Sequence, residues 1–253
     1  RCKPCRHCRF EHNFGDVMID YDLLLREADK IGIDLGQYGA DRFDTYAERL
    51  VRWNEHVNLT AITEPDDIVI KHFIDSLYPM KYIDFKPGQT IADVGTGAGF
   101  PGMPILIANP KVEVNFIDSS GKRINFINDV LSKIGIIATS THERAEDVGK
   151  NPEFREKYDF ATARAVAPLN VLCEYCLPLV KVGGRFVSLK GSNGLEELEA
   201  AKNAIEVLGG ELETADSYKL PNGDGRTIFI IKKISQTPTK YPRKPKKIDT
   251  HPL

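Results

Sequence analysis

The sequence has no apolar run approaching the ~20 residues that a membrane-spanning helix needs. Apolar residues make up an ordinary 42% of its 253 residues. It also lacks the pattern of a secretory leader, a basic start followed by an apolar run, because residues 1–17 are basic, polar and rich in cysteine and histidine. These absences predict a soluble, cytoplasmic protein with no membrane partner.

Net charge is also low, since 34 Lys and Arg residues against 36 Asp and Glu residues leave −2 at pH 7. A general nucleic-acid binder is usually basic, so contact with nucleic acid would have to come from local patches. One candidate is the stretch that follows Lys232, where Lys and Arg residues alternate with Pro238, Pro242 and Pro245. The proline spacing predicts an extended tail that cannot join the core, and composition leaves open whether it is solubilising or contacts phosphates.

Cysteine is scarce and falls in two places. The first is a C-x-x-C-x-x-C segment at the beginning of the sequence, a pattern that can bind zinc or an iron–sulfur cluster, formed by Cys2, Cys5 and Cys8. It has no fourth cysteine and precedes Met18, where an ordinary reading frame could begin, so we expect residues 1–17 to be disordered or foreign to the functional fold, with no metal site. The second pair, Cys173 and Cys176, has helical spacing among leucines and predicts core packing.

The most informative stretch runs from Gln89 to Pro104, QTIADVGTGAGFPGMP. Its apolar start predicts a buried parallel strand that ends in a glycine turn, and a helix over residues 101–108 should follow, with prolines in its first turn. Glycines let a ligand approach the backbone, and the start of a helix offers free N–H groups. The stretch therefore predicts a nucleotide-binding corner, the alternative being a tight turn with no ligand.

The glycine spacing indicates which nucleotide. A dinucleotide fingerprint needs a small residue at its sixth position, where this chain has Phe100. The segment Asp93–Gly99 instead resembles the D-x-G-x-G-x-G loop of S-adenosylmethionine-dependent methyltransferases. About twenty residues further on, the alternating segment Val112–Asp118 ends in a carboxylate, in the place where such an acid meets ribose hydroxyls. Asp118 could also cap the helix that follows Ser119, Ser120 and Gly121, and both roles can hold at once.

Periodicity divides the chain into a helical N-terminal element (18–84), a doubly wound α/β domain (85–234) and the basic tail (235–253). Beyond the glycine corner, strands are predicted over Ile134–Thr141, Tyr158–Ala163, Gly184–Leu189, Glu211–Tyr218 and Thr227–Lys232. Helices are predicted over Lys122–Lys133, Asn170–Val182 and Gly194–Leu208. The last two strands are joined by the turn sequence PNGDG and should form an antiparallel pair at the sheet edge. His72 in the N-terminal element is interpreted as a packed helix histidine.

Cations follow three of the predicted parallel strands, namely Arg144, Arg164 and Lys190. Ligand residues cluster at the carboxyl ends of parallel strands, so three cations beside a nucleotide corner favour an anionic substrate.

Several short segments, in order WNEHVNLT, KHFIDS, VGTGAGFPGMP, DSSGKR, RAED, TARAVAPL and LKG, resemble the bacterial family called glucose-inhibited division protein B, or RsmG. The resemblance runs from about Met18 to the C-terminus. It implies a Rossmann-like class I S-adenosylmethionine-dependent methyltransferase sheet, mostly parallel with an antiparallel last strand. It also implies methylation of guanine N7 in 16S ribosomal RNA, expected at position 527, within the 30S subunit or its precursor.

The resemblance, together with the residue patterns described above, implies roles for individual residues. The cofactor, which would leave as S-adenosylhomocysteine, is expected to contact residues of the glycine corner, the acidic strand end and the third strand end: Gly95, Gly97, Gly99, Phe100, Asp118, Ser119, Ser120, Ala145, Glu146 and Arg164. Catalytic roles are expected for Arg164, Lys190 and Arg144. RNA contacts are expected from Lys122, Arg123, Arg144, Lys190, Arg243 and Lys244.

The chemistry fits an absence in the sequence. Enzymes that methylate exocyclic amines carry an Asn/Asp-Pro-Pro-aromatic motif after the fourth strand, where this chain reads ARAV. Guanine N7 is a lone pair with no proton to lose, so its methylation needs alignment and exclusion of water rather than a general base. Two alternatives stay open: a small-molecule methyltransferase, and a metal-binding or interaction module led by the cysteine segment. A monomer is expected, while the form of the RNA substrate and the groups that contact the target base are left undecided.

Overall fold

Seven strands form the centre of the structure, a computed structural model that describes residues 18–164 and 167–253. The strands are β1 (Thr90–Val94), β2 (Glu113–Asp118), β3 (Thr139–His142), β4 (Tyr158–Arg164), β5 (Val180–Gly191), β6 (Gly210–Lys219) and β7 (Gly225–Lys233). They make one sheet in the order β3-β2-β1-β4-β5-β7-β6. Strands β1 to β5 pair in parallel, and β7 is antiparallel to both β5 and β6. The predicted α/β architecture and the antiparallel edge pair are therefore confirmed.

Helices cover both faces of this sheet. In chain order they are α1 (Tyr21–Lys30), α2 (Gly36–Asn54), α3 (Pro65–Asp67), α4 (Asp75–Leu77), α5 (Pro79–Tyr82), α6 (Gly102–Ala108), α7 (Gly121–Ile134), α8 (Ala145–Val148), α9 (Leu169–Cys176), α10 (Leu198–Val207) and α11 (Pro245–Thr250). One core lies between the sheet and the N-terminal helices with α6 and α7, and a second core lies under α9 and α10. No described helix has the length and apolar character that crossing a membrane would require.

The N-terminal helices pack against the glycine corner. Arg49 and Trp53 on α2 both bond to the Asp129 carboxylate on α7, at 2.7 and 2.8 Å. Between α3 and α4 the chain forms a π-helix, Ile68–Ile74, most of whose residues are buried. A π turn is rare and frequently occurs at functional sites.

Two predicted boundaries are wrong by five residues or more. Strand β3 begins at Thr139 rather than Ile134, because α7 continues to Ile134 and ends at Gly135, whose φ of +66° suits a left-handed cap. Helix α9 ends at Cys176 rather than Val182, since a 3₁₀ turn with Pro178 follows and β5 already begins at Val180.

The prediction that the C-terminal tail cannot join the core is also wrong. Ile248 is fully buried and Tyr241 nearly so. The Arg243 guanidinium bonds to the carboxylate of Glu174 on α9, Nη2 to Oε2 at 2.7 Å, and Glu174 is itself buried. The proline spacing predicted an extended chain. It did not indicate that apolar residues of the tail would be buried, or that a cation of the tail would pair with a buried carboxylate.

Cys173 and Cys176 are buried in the core under α9, as predicted, and burial raises the pKa of both thiols. The predictions for Cys2, Cys5 and Cys8 and for the extension 1–17 lie outside the described residues. Within residues 18–164 and 167–253 no group of three His, Cys, Asp or Glu side chains could hold a metal ion. The domain boundaries themselves stay a prediction.

Candidate functional site

The glycine corner has the backbone that its sequence predicted. Gly95, Gly97 and Gly99 have φ values of +64°, +58° and +99°, a region that side-chain-bearing residues rarely adopt. The N–H groups of Gly95 and Thr96 both donate to the Ile117 carbonyl, which ties the loop to the end of β2. The loop thus crosses the carboxyl ends of β1 and β2, where α/β sheets bind ligands.

The Asp93 carboxylate holds this loop in place through hydrogen bonds. It is fully buried and accepts hydrogen bonds from Thr162 Oγ1 at 2.7 Å, Thr96 Oγ1 at 2.5 Å and the Gly102 N–H at 3.2 Å. A Cβ on Gly102 would lie 2.8 Å from an Asp93 oxygen, so only glycine fits there. The acid of the D-x-G-x-G-x-G pattern therefore connects β1, β4 and α6.

Asp118 lies at the end of β2 with only 3% of its surface exposed. Its Oδ2 accepts the Gly97 N–H at 2.9 Å and lies 3.5 Å from Arg123 Nη1, while Oδ1 accepts the Ser120 N–H at 2.8 Å. The carboxylate thus borders the glycine loop and also stabilises the start of α7, whose N-cap is Ser120. The ribose-binding role considered for Asp118 is geometrically open, whereas the prediction that it caps α7 is wrong, because Ser120 holds the N-cap position and Asp118 accepts its N–H.

A cavity of about 620 Å³ lies over this corner. Its size is that of a pocket for one drug-sized ligand. Ten of the predicted residues line it: Gly95, Gly97, Phe100, Asp118, Ser119, Arg123, Arg144, Ala145, Glu146 and Arg164. The structure therefore brings together residues that are spread over some 70 positions of the chain.

One end of the cavity is lined by carboxylates. Glu146 is buried, and its Oε1 accepts no hydrogen bond from the described residues, the Arg144 guanidinium lying 3.6 Å away. Tyr175 on α9 and Asp249 on α11 also line the cavity. Burial and the neighbouring Glu146 and Asp249 raise the pKa of Tyr175 to about 12, so its hydroxyl keeps its proton at neutral pH. A buried acceptor without a donor is suited to a ligand N–H group.

Arg164 lies at the end of β4, where its guanidinium is held from several sides. Nη1 lies 3.2 Å from Asp75 Oδ2 and 3.2 Å from the Lys71 carbonyl, and Nη2 lies 3.1 Å from His72 Nδ1. The guanidinium also stacks on the Phe100 ring, 4.4 Å from its centroid. Its side chain is only 13% exposed, so Arg164 is a fixed cation in the cavity wall rather than a mobile surface charge.

Six predicted residues do not line the cavity. Lys190 is buried and paired with Glu197 at 2.7 Å, and Arg243 is bound to Glu174, so neither cation projects toward the cavity. Gly99 faces inward, where a Cβ would lie 2.8 Å from the Tyr46 hydroxyl. Ser120 caps α7, and Lys122 and Lys244 are exposed on the surface. The roles predicted for these residues stay predictions. The geometry supports the predicted roles of Lys190 and Arg243 least, because a carboxylate already pairs with each of them.

Sequence reasoning missed other cavity residues, including Leu59, Tyr175 and Asp249. It interpreted His72 as packing, yet this side chain also lines the cavity. The polar segments around Asn58-Leu59-Thr60 and Lys71-His72-Phe73 were a usable signal, because they are more specific than an amphipathic helix needs. No signal marked Tyr175 or Asp249, which meet only because the C-terminal segment folds back.

Comparison with known proteins gives consistent results. A family model described as GidB, rRNA small subunit methyltransferase G, matches residues 40–224. A protein of Lactobacillus delbrueckii subsp. bulgaricus named ribosomal RNA small subunit methyltransferase G is 49% identical over 226 residues, 88% of this chain and 95% of that protein. A Bacillus licheniformis protein of the same name is 49% identical over 86% of this chain and 92% of its own length.

Among solved structures, TrmN from Thermus thermophilus superposes with a TM-score of 0.51 at 19% identity, covering 64% of this chain and 48% of that one. At this identity the likeness concerns the fold alone, a Rossmann-like α/β fold.

Proposed function

The chain belongs to the GidB family, the rRNA small subunit methyltransferases G, and on that premise we propose that it methylates N7 of a guanine in 16S ribosomal RNA, position 527 being the expected site. Membership makes it an S-adenosylmethionine-dependent enzyme that acts on 16S ribosomal RNA. It also decides against a small-molecule methyltransferase and against a module in which the nucleotide corner is inert. What we propose beyond this is the base that is methylated, the atom of that base that receives the methyl group, and the roles of individual residues.

The cavity fits the methyl donor. Three glycines with positive φ let a ligand approach the loop, and the Asp118 carboxylate beside them can accept hydrogen bonds from ribose hydroxyls. At the other end, Glu146 offers a buried oxygen without a donor, which suits the amino group of adenine. This orphaned acceptor is the observation that carries the assignment, because its cation Arg144 lies 3.6 Å away and donates no hydrogen bond to it.

When bound, S-adenosylmethionine supplies a methyl group on a positively charged sulfur. The acceptor N7 offers a lone pair and releases no proton, so the protein needs no general base. Its work is to align the acceptor with the methyl group and to keep water out. This agrees with the cavity, where His72 has its pKa lowered to about 3 by burial and by the Arg164 charge, and so is a poor proton acceptor.

Arg164 is proposed to hold the guanine. Guanine presents O6 and N7 as acceptors on one edge, and arginine is the side chain that most often pairs with that edge. A hydrogen bond to O6 from a guanidinium fixed against Asp75 and Phe100 would orient the ring and leave N7 free for the methyl group. Because the guanidinium is held in place before substrate arrives, little side-chain entropy is lost on binding.

Cations around the cavity are proposed to bind RNA phosphates. Arg123 and Arg144 line its rim, and Lys122 is exposed on the first turn of α7 beside it. Lys244, Lys246 and Lys247 are exposed next to Asp249, which reaches the cavity from α11. The net charge of the chain is −2, so the protein as a whole does not attract RNA phosphates. This local cluster of cations would supply the attraction. We further propose a monomeric cytoplasmic enzyme that needs no metal, releases S-adenosylhomocysteine and uses the 30S subunit or its precursor.

Methyl transfer to small subunits tests the proposal. Subunits from a strain that lacks this protein are incubated with radiolabelled S-adenosylmethionine, and the label is mapped by cleavage at 7-methylguanine followed by primer extension. We expect one stop, at the proposed guanine, with intact subunits, with a precursor, or with both. Label at another base or atom would refute the proposed target, while leaving the family assignment intact.

Arg164→Lys tests the role of the arginine, because lysine keeps the charge beside Asp75 but lacks the planar fork. We expect kcat/KM for the subunit to fall roughly tenfold or more. Arg42→Lys is the matched control, since Arg42 stacks on Tyr38 and donates to the Ile134 carbonyl at the end of α7, and it is not among the residues that line the cavity. Full activity of Arg164→Lys would remove the proposed role.

A further inference from the structure

His72 connects the N-terminal helical element to the arginine of the cavity. Its ring stacks on Phe100, with centroids 4.4 Å apart, on the same aromatic ring that the Arg164 guanidinium covers. Nε2 lies 2.8 Å from Thr60 Oγ1, and Nδ1 lies 3.1 Å from Arg164 Nη2. The histidine thus bridges a loop residue and the end of β4 through both of its ring nitrogens.

The chemistry of the two partners determines where the ring proton lies. A guanidinium has only donors, so Nδ1 must be the acceptor and carries no proton. In a neutral ring the proton is then on Nε2, which donates to Thr60 Oγ1. Thr60 Oγ1 in turn accepts the Ile62 N–H at 3.0 Å, and the Asn54 side chain holds the same loop through the Thr60 N–H and carbonyl.

The surrounding charges keep the ring neutral. Burial is the largest effect that lowers the pKa of His72, and the cations that face it, Arg164, Arg226 and Lys71, lower it further. The carboxylate of Asp75 is engaged by Arg164 and Arg226, and it accepts the Tyr218 hydroxyl. A backbone hydrogen bond with Lys71 favours the charged ring, but burial and the Arg164 charge outweigh it.

We propose that His72 is a positioning residue that, as the Nε2–H tautomer, holds the Arg164 guanidinium by accepting from Nη2 and so sets its angle toward the target base. The inference rests on the proposed role of Arg164 and deepens it. Asp75, the Lys71 carbonyl and Phe100 fix the position of the guanidinium, while Nδ1 is the acceptor that engages its second nitrogen. Two nitrogens held at different points define the plane of the group, and with it the direction of the N–H that is left for O6 of the base.

A pair of amide variants tests this role in the full-length enzyme. The amide of asparagine occupies the place of Nδ1, and that of glutamine occupies the place of Nε2. His72→Asn therefore keeps an acceptor for Arg164, and His72→Gln keeps only a partner for Thr60. We expect His72→Gln to lose roughly tenfold or more in kcat/KM for subunit methylation, and His72→Asn to retain most of that activity. Equal losses in both variants would overturn the proposal.

A double-mutant cycle adds a result that general loosening of the fold would not give. In the Arg164→Lys background, we expect His72→Gln to cause less than a further twofold loss, because the group that it positions is gone. Additive losses would show that His72 acts independently of Arg164 and would overturn the proposal.

Nitrogen-15 NMR of the wild-type enzyme labelled at histidine tests the tautomer without relying on activity or on any variant. The expected spectrum has Nδ1 unprotonated and Nε2 protonated, unchanged from pH 8 to pH 5. The opposite tautomer, or a charged ring at pH 6, would overturn the proposal. If wild-type enzyme methylates a different base while the spectrum and the coupling are as expected, the proposed function fails and the link between His72 and Arg164 stands.

Discussion

The ion pair between Arg243 and Glu174 gives the sharpest prediction for stability. Three donors of Arg243, its N–H, Nε and Nη2, reach the Glu174 carboxylate at 2.7 to 2.9 Å. The glutamate side chain is only 1% exposed and the arginine side chain 14%. Arg243→Ala would leave a carboxylate buried without its cation, a change that typically destabilises a protein by about 3–5 kcal/mol.

A second pair in the same chain is the matched control. Arg185 and Glu213 also form a bidentate contact, but their side chains are 33% and 38% exposed. Water replaces the lost partner there, so Arg185→Ala should lower the free energy of unfolding by about 1 kcal/mol or less. The two variants delete the same side chain and differ mainly in how much water reaches the remaining glutamate.

Urea unfolding followed by far-ultraviolet circular dichroism measures both effects, and calorimetric titration of S-adenosylmethionine provides a functional readout. Arg243→Ala should also weaken cofactor binding, since the segment that Arg243 anchors brings Asp249 to the cavity. Adding Glu174→Gln to Arg243→Ala should recover part of the stability, because the buried group is then neutral. A loss for Arg243→Ala no larger than that for Arg185→Ala would refute the reasoning.

Three further predictions follow from the site. The pKa of His72 is about 3 in the folded protein and about 6.5 in the unfolded chain, so the unfolded state binds a proton first as pH falls. Between pH 7 and pH 5 the wild type should therefore lose about 2 kcal/mol of stability, and His72→Asn should not. Urea unfolding at each pH measures this difference. Gly97→Ala should fold but lose cofactor affinity in calorimetry, because only the φ of this residue is strained. Gly102→Ala should fail to fold stably, because the added Cβ would meet Asp93. Normal thermal stability of Gly102→Ala would contradict this prediction. Lys122→Ala should reduce the salt dependence of RNA binding by about one counterion, while Lys133→Ala at the far end of α7 should not; equal slopes would argue against a phosphate contact at Lys122.

The sequence was most informative where one physical requirement fixes one residue type. Positive φ in the loop requires Gly95 and Gly97, and the contact with Asp93 requires Gly102, so the glycine corner and the strand before it were predictable. Asp118 was predictable for the same reason, since a carboxylate at the end of β2 has a defined place in this fold.

Long-range partners were not predictable in this way. Nothing near Arg243 in the sequence indicates that it would pair with Glu174, 69 positions earlier. Glu197 is only seven positions from Lys190, but no repeating pattern marks the two as partners. Both cations were predicted at the site because local sequence records charge but not the carboxylate that neutralises it. His72 shows the converse, because helical spacing marked it as packed but could not reveal that its partner is Arg164.

The π-helix Ile68–Ile74 makes the cavity sensitive to chain length rather than to residue type. A π turn spreads about the same rotation over one residue more than α-helical winding does. Removing one residue from this turn would therefore return it to α-helical winding and leave Asp75 and Ser76, which both lie within hydrogen-bonding distance of Arg164, facing nearly the same way. The groups inside the turn would move instead, and two of them, the Lys71 carbonyl and His72 Nδ1, contact Arg164. A single-codon deletion here should therefore lower activity even if every side chain that touches the ligand were kept.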